Sequence, residues 1–220
     1  MRLLGARREI KRVEKMGLSA EALREGLDAI ASIEPRVGAA LLRVGYPAPR
    51  IRERGYATLL RTIIGQQVSV KAADSIWRKL AAAVGDIADP AALLPLDDAA
   101  LRAAGLSRQK AAYARSLAAL AATGELDFAA LPADDDEAAA LLSKVKGIGR
   151  WSAEVYLLFA EGRADVWPAG DLAVQIEMGR IMGLDGKPSE RLTRELAEPW
   201  RPYRGAAAVF LWHHYGAAAL

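Results

Sequence analysis

Apolar residues recur along most of this chain at the three- and four-residue intervals of one helix face. Leu23, Leu27 and Ile30 follow this spacing, and the Glu34-Pro35 step ends their segment because the residue before a proline disfavours helical backbone. Alanine and leucine are abundant, and runs of β-branched residues are short. The pattern therefore predicts an all-α protein, without a convincing pair of strands.

Polar capping residues and glycine or proline breaks divide this pattern into about ten helices. Ser19 and Ser107 are expected N-caps, Asp134 and Glu137 have the spacing of a capping box, and Gly45 ends a helix. The segment YPAPRIRERG predicts an extended linker, since its prolines oppose helix. The expected helices cover 20–33, 36–44, 56–64, 68–84, 90–104, 108–122, 135–145, 150–160, 171–183, 189–197 and 204–215, with Leu59, Ile63, Ile76 and Leu80 facing the core.

The composition excludes several kinds of chemistry. The chain of 220 residues has no cysteine, which excludes disulfides, thiolate zinc sites, a cysteine nucleophile and a cysteine-held iron–sulfur cluster. Its two histidines, His213 and His214, are adjacent and cannot form a multi-histidine metal site by themselves. The chain lacks an apolar run of membrane-spanning length and a secretory signal, so a cytoplasmic location is expected. A monomer is a separate expectation.

Charge is distributed unevenly along the chain. The N-terminal half is net positive and the C-terminal half is net negative, which suits a polyanionic partner without requiring one. Residues 1–16 are expected to be a basic extension, either disordered or upstream of a natural start at Met16. A DNA-facing arm is the alternative interpretation of the same residues.

The sequence LSKVKGIGRWSA (142–153) joins two predicted helices through a short turn with glycines at 147 and 149. Glycine allows positive φ and a close approach of the backbone to a ligand. Unpaired N–H groups at the start of the second helix can bind a phosphate, and Lys144, Lys146 and Arg150 add positive charge. A plain glycine turn between helices is the alternative for Gly147 and Gly149.

Together with its surroundings, this turn resembles a known family of DNA glycosylases. GIGRWSAE resembles the hairpin, and WPAGD the loop and aspartate, of the helix-hairpin-helix Gly/Pro-Asp (HhH-GPD) superfamily. Residues 61–77, 105–118 and 199–212 resemble its 3-methyladenine DNA glycosylase II branch in particular. The resemblance covers about residues 20–215 in the family's order.

The resemblance implies a two-lobed helical body, without the additional N-terminal sheet domain of longer relatives. One lobe would be a central segment of about 55–135, and the other would combine about 17–54 with 136–220. The first helix would then pack with the C-terminal lobe. The GQQ turn and the hairpin would meet near Asp171, which matches the family's catalytic aspartate and is also placed to cap a helix.

The resemblance also assigns a pocket for the target base. Trp151 matches one wall and stands where relatives with lyase activity have a Schiff-base lysine, so a monofunctional enzyme is expected. Tyr203 aligns with a pocket aromatic, and Trp167 is a further candidate wall, because electron-rich rings bind cationic alkylated bases. Val155 replaces an aromatic residue of some relatives. We expect the other tryptophans, Trp77, Trp200 and Trp212, to lie in the core.

Two further features follow only from the resemblance. Gln67, with Gln66 beside it, stands where the family inserts a wedge into the gap left by the extruded base; capping amides are the alternative. Family hairpins bind a monovalent cation, Na⁺ or K⁺, through backbone carbonyls that would here belong to Ser143, Val145 and Ile148. No other cofactor is implied.

The function implied is hydrolysis of the N-glycosidic bond of alkylated bases, such as 3-methyladenine and 7-methylguanine, in double-stranded DNA during base excision repair. Three alternatives remain open at this point. They are a glycosylase for deaminated or mismatched bases, a helix-hairpin-helix module that binds DNA without catalysis, and a purely structural helical protein.

Overall fold

Helices make up about two thirds of the computed structural model, which describes residues 15–217. The residues 1–14 of the expected basic extension lie outside this range. The all-α prediction is confirmed for the described part of the chain. Its helices are α1 Ala20–Ile33, α2 Pro35–Val44, α3 Tyr56–Gly65, α4 Val70–Val84, α5 Pro90–Leu93, α6 Asp98–Ala103, α7 Arg108–Ala122, α8 Asp135–Leu142, α9 Arg150–Phe159, α10 Leu172–Met182, α11 Glu190–Ala197 and α12 Arg204–Ala217, with a 3-10 turn at Glu198–Trp200.

Side-chain caps fix most of the helix starts. Ser19 accepts a hydrogen bond from the Ala22 N–H at 3.1 Å, and Ser107 accepts one from the Lys110 N–H at 3.2 Å. These caps confirm the expected starts of α1 and α7. The helix predicted from Val68 instead begins at Val70, because Ser69 caps it.

The single helix expected over 90–104 is wrong, because Pro95 divides it into α5 and α6. Proline has no N–H to donate and opposes helical backbone in the residue before it. Asp97 then caps α6 by accepting a hydrogen bond from the Ala100 N–H at 2.7 Å. The helix expected over 135–145 also ends early, at Leu142.

One short strand pair corrects the expectation of no strands. β1, Lys15–Met16, pairs antiparallel with β2, Arg52–Glu53. The last two residues of the expected extension therefore belong to this ladder. Each strand has only two residues, too few for a periodic pattern to be visible in the sequence.

The helices pack in two groups, one around α12 and one around α7. Helix α1 packs on α2 and α12, and α10 also packs on α12, while α3 packs on α4 and α7. Leu59, Ile63 and Leu80 are fully buried, and Ile76 is partly buried beside them. Within residues 15–217, no helix has both the length and the apolar character needed to cross a bilayer.

Candidate active site

Asp171 caps helix α10 and is surrounded by hydrogen-bond donors. Its Oδ1 accepts the Val174 N–H at 2.9 Å, which is the helix cap expected from the sequence. The indole Nε1–H of Trp212 also donates to Oδ1, at 3.0 Å, and that of Trp151 donates to Oδ2, at 2.7 Å. The half-buried carboxylate is thus held between two aromatic rings from α9 and α12.

The loop that precedes Asp171 is fixed by its own hydrogen bonds. The Asp171 N–H donates to the Pro168 carbonyl at 2.9 Å, which closes a tight turn. The buried Gln175 donates its side-chain N–H to the Ala169 carbonyl at 2.8 Å and accepts from Lys187 Nζ at 2.6 Å. Because these bonds tie the loop to α10, the carboxylate position is set before any ligand binds.

Trp212 is the site residue that the sequence interpretation missed. It was expected in the core, but it is only partly buried, and its indole N–H reaches Asp171. Its ring centroid lies 5.6 Å from that of Phe159, so the apolar part of the indole still packs inward. The only sequence signal is an indole near the end of an otherwise apolar helix, and this pattern does not distinguish a core residue from a site residue.

An open cavity of about 830 Å³ lies beside the Asp171–Trp151 pair, between α9 and the α3–α4 hairpin. Trp151, which is 49 % exposed, forms part of its wall. Val155 also lines it. The wall further includes Arg52, Glu53, Thr58, Arg61, Thr62, Gly65, Gln66, Gln67, Val68, Val70, Ala73, Asp74 and Ser152.

Arg52 brings positive charge to the end of this cavity. Its guanidinium lies 5.9 Å from the ring centroid of Phe159, which in turn packs on Trp212. Partial burial lowers the pKa of Arg52, and the nearby Arg50 and Arg61 lower it further. The cavity therefore combines the Trp151 indole with two guanidinium groups, of Arg52 and Arg61, and two carboxylates, of Glu53 and Asp74.

Two expected pocket walls lie elsewhere, which corrects the prediction for both. Trp167 is 3 % exposed, donates its indole N–H to the Thr193 carbonyl at 3.2 Å and packs edge-on against Trp200. It is a core residue. Tyr203 precedes α12 at the end far from Trp212, where its ring packs against Gly26 of α1. Neither residue lines the cavity beside Trp151.

The hairpin between α8 and α9 has the glycine turn that the motif predicts. Gly147 has φ of +83°, and a Cβ there would stand 2.1 Å from the ring of Tyr113 on α7. The neighbouring Lys146 N–H donates to Ser116 Oγ at 3.1 Å, so α7 holds the turn in place. The side chains of Lys144 and Lys146 are exposed.

The first turn of α9 is open to a ligand. Its N-cap, Gly149, offers no side-chain hydrogen bond, and a Cβ there would meet nothing within 4 Å. Most helices of the described chain start with a Ser or Asp cap, so this start differs from them. Free N–H groups and the helix dipole favour an anion at such a position.

Arg150 does not extend toward a ligand as expected. Its guanidinium pairs with Asp136 and donates to Glu154 Oε1 at 2.8 Å. Burial raises the pKa of Glu154, and Arg150 and Arg194 oppose this by favouring the charged form. These bonds join α8 to α9, so the side chain of Arg150 contributes to the hairpin's own structure.

The GQQ turn lies against the hairpin and contains an unusual backbone conformation. Gln66 donates from its side chain to the Gly147 carbonyl at 2.9 Å, so it acts as a tie between the two turns and is corrected as a wedge candidate. Gln67 is exposed and has φ of +55°, the only positive φ of a non-glycine residue within 15–217. Lys110 of α7 donates to the Ile64 carbonyl at 2.7 Å, and burial lowers the pKa of Lys110.

The comparisons with known proteins agree with this geometry. The model of the HhH-GPD superfamily of base excision DNA repair proteins matches residues 60–202. DNA-3-methyladenine glycosylase 1 of Schizosaccharomyces pombe is 30% identical over 165 residues, covering 73% of this chain and 72% of that protein. A longer Bacillus subtilis relative is matched over 58% of its length.

Solved structures show the same arrangement of helices. The DNA-3-methyladenine glycosidase of Bacillus halodurans superimposes with a TM-score of 0.79 at 30% identity, over 88% of this chain and 90% of that one. The 3-methyladenine DNA glycosylase Mag1 of S. pombe, in complex with abasic DNA, gives 0.71 at 25% identity, over 89% and 97%. This chain belongs to the HhH-GPD superfamily, and its resemblance to the 3-methyladenine glycosylase branch is confirmed.

Proposed function

We propose that this protein is a monofunctional DNA glycosylase that releases alkylated bases, of the 3-methyladenine and 7-methylguanine type, from double-stranded DNA in base excision repair. The observation that carries the proposal is the Asp171 carboxylate, held by two indole N–H groups, one of them from Trp151, which also lines the neighbouring cavity with Arg52 and Arg61. The names of the relatives that cover most of the chain support the same substrate class.

The chemistry of N-glycosidic cleavage suits this carboxylate. As the bond to the base breaks, positive charge develops on the deoxyribose, and a fixed anion near C1′ stabilises it. Asp171 is already oriented by Trp151, Trp212 and Val174, so little reorganisation is needed when this charge appears. Alkylated bases are cationic and leave readily, so the cavity must bind and orient the base more than activate it.

Trp151 supports the monofunctional part of the proposal. An indole has no amine to form a Schiff base with the sugar, and it can stack on a cationic base instead. We therefore expect release of the base with an intact abasic strand. Treatment with borohydride during the reaction is expected to trap no covalent enzyme–DNA adduct, and a trapped adduct would contradict this part of the proposal.

Anchoring of the DNA is assigned to the hairpin. The open N-terminus of α9 at Gly149 would bind a phosphate, and Lys144 and Lys146 would add a sequence-independent attraction. Gln67 would enter the gap left by the extruded nucleotide, since it is exposed at the tip of the GQQ turn.

A monovalent cation at the hairpin remains part of the proposal. The carbonyls of Ser143, Val145 and Ile148 lie in the segment between α8 and α9, and hard oxygen donors suit Na⁺ or K⁺. The Val145 carbonyl already accepts the Ile148 N–H at 3.0 Å, but a carbonyl oxygen has a second lone pair available. The cation would bridge the turn to a DNA phosphate.

We also propose that the protein acts as a monomer in the cytoplasm, where a bacterial chromosome lies.

The deciding experiment measures free base released from methylated duplex DNA by the wild type and by Asp171→Asn. We expect the wild type to release 3-methyladenine or 7-methylguanine, and the variant to be slower by at least about 100-fold, because the stabilising charge is lost. Asp185→Asn, an exposed carboxylate in the loop after α10, is the control and should keep full activity.

The outcomes separate the proposed function from its alternatives. Release of hypoxanthine or mismatched adenine, without release of alkylated bases, would mean that the same site acts on another class of substrate. Tight DNA binding by a folded wild type that releases no base would instead favour a DNA-binding module without catalysis.

A further inference from the structure

A second groove continues from the candidate base cavity along helix α4. It has a volume of about 700 Å³ and is lined by Arg61, Val70, Lys71, Asp74, Trp77 and Arg78; we call it the α4 groove. Arg61, Val70 and Asp74 also line the cavity beside Trp151, so the two spaces adjoin. A molecule with one part in the cavity can therefore extend into the α4 groove.

The α4 groove has an excess of positive charge. Arg61 pairs with Asp74, which leaves the charges of Lys71 and Arg78 uncompensated by any carboxylate among residues 15–217. The Arg78 side chain donates a long hydrogen bond, 3.4 Å, to the Asp74 carbonyl. Both side chains are exposed, so they are available to an anionic partner.

Apolar surface lies between these charges. The Arg61 guanidinium stands 5.2 Å from the ring centroid of the partly buried Trp77, and Val70 at the start of α4 is 79 % exposed. Cationic side chains interleaved with an indole and an aliphatic group suit the alternating phosphates and sugars of a nucleic-acid strand.

The dimensions also fit a short piece of DNA. Lys71 and Arg78 are seven positions apart on one helix, which corresponds to roughly 10 Å along its axis. At about 3.4 Å of axial rise per nucleotide in one strand, that distance spans roughly three nucleotides. Helix α4 begins at Val70, three residues after Gln67, which lies in the turn where the nucleotide would leave the duplex.

We propose that the α4 groove binds the DNA backbone next to the extruded nucleotide, with Lys71 and Arg78 contacting phosphates and Trp77 contacting the sugars. The inference rests on the proposed function only in that DNA is the partner and that the base enters the cavity beside Trp151. None of these three side chains contacts the reacting bond.

The test compares Lys71→Gln/Arg78→Gln with a control of equal charge loss, Lys79→Gln/Arg43→Gln, whose residues are exposed and line neither space. Binding to a duplex carrying a stable abasic-site analogue is measured over a range of salt concentrations. The slope of log K against log salt is negative, and each lost phosphate contact makes it shallower by about 0.9. Loss of two contacts should therefore reduce its magnitude by about 2 in the groove variant only. A slope equal to that of the control would overturn the proposal.

Two further measurements locate the contact and separate it from catalysis. Trimming the duplex from one side of the abasic site should abolish the difference between wild type and groove variant, and trimming from the other side should preserve it. Equal sensitivity to both sides would also overturn the proposal. Single-turnover base release by the control variant should match the wild type, whereas the groove variant should need a higher enzyme concentration to reach its maximal rate. If the wild type releases no base but the slope changes, the proposed function fails and the α4 groove remains.

Discussion

Asp171 accepts three hydrogen bonds, from Val174, Trp151 and Trp212, and each donor has a second structural role. The backbone donor starts helix α10, Trp151 lines the cavity, and Trp212 packs on Phe159. A carboxylate that already accepts several N–H bonds is better suited to stabilise positive charge than to remove a proton, because its lone pairs are engaged. We therefore assign Asp171 chiefly to electrostatic stabilisation of the sugar.

Trp212→Phe tests this assignment, because it removes one N–H donor and keeps an aromatic ring beside Phe159. A hydrogen bond to a charged group contributes about 1.5–3 kcal/mol, so single-turnover base release should slow by about 10- to 100-fold. Affinity for abasic-analogue DNA should change little. An unchanged rate in a variant with a normal melting temperature would show that Trp212 is only a packing residue.

Gln67 is strained for the position it occupies. A φ of +55° is unfavourable for a residue with a Cβ, and such strain is found where surrounding structure or function requires it. The turn is held from both sides, because Gln66 is tied to Gly147 and Lys110 to Ile64. The strained side chain is thereby directed out of the turn.

Replacing Gln67 with glycine should separate stability from function. Glycine relieves the positive φ, so we expect the free energy of unfolding to stay the same or rise by up to about 1 kcal/mol. Base release from fully paired duplex should fall much more than release from a mismatched, easily opened site. Urea unfolding and the two substrates provide the measurements, and equal losses on both substrates would exclude the wedge role.

At the scale of elements, helix α7 supports both turns that face the proposed DNA. Lys110 bonds the end of α3, Tyr113 packs under Gly147, and Ser116 accepts the Lys146 N–H. One helix therefore sets the distance between the GQQ turn and the hairpin. Because the sequence separation of these turns is large, only the packing of α7 brings them into register.

The two glycines of the hairpin should respond differently to alanine. At Gly147 a Cβ meets the Tyr113 ring and φ is positive, so Gly147→Ala should lower the free energy of unfolding by roughly 2 kcal/mol. At Gly149 a Cβ meets nothing within 4 Å, and φ is −85°, so folding should be unaffected. Gly149→Ala should nevertheless weaken DNA binding, because the methyl group would stand where a phosphate approaches. Thermal unfolding and DNA titration of both variants check this, and normal DNA binding by folded Gly149→Ala would argue against the phosphate site.

At the scale of the whole molecule, a buried carboxylate links the two helices that carry Asp171 and Trp212. Glu177 of α10 is 0% exposed and bonds His214 of α12 and Arg180, both at 2.6 Å. The positions of the carboxylate and of its indole donor therefore depend on the same interhelical contact. Removing one partner of a buried charged group strongly destabilises the folded protein.

Glu177→Ala is expected to lower the free energy of unfolding by about 3 kcal/mol, because it leaves His214 and Arg180 without their buried partner. The matched control is Glu195→Ala, which removes a largely exposed pair with Arg191 and should change stability by less than about 0.5 kcal/mol. Denaturant unfolding measures both. Similar effects of the two substitutions would mean that the α10–α12 contact does not depend on Glu177.

Local features of the chain were predictable because they depend on neighbouring residues. A few consecutive residues are enough to specify the helix periodicity, the glycine hairpin and the caps Ser19, Ser107 and Asp171. The resemblance in GIGRWSAE and WPAGD then supplied the family, which the comparisons confirm. Errors at this level came from short-range details, such as the break at Pro95 and the two-residue strands.

By itself, therefore, the sequence determined the helical class, the family and the candidate carboxylate. Only the tertiary structure decided which side chains meet. It brought Trp212 to Asp171, turned Trp167 into the core, directed Arg150 to Glu154 and opened a groove along α4. The physical reason is that an aromatic or charged side chain of one composition can serve a core, an ion pair or a site, and the choice depends on contacts between residues far apart in the chain.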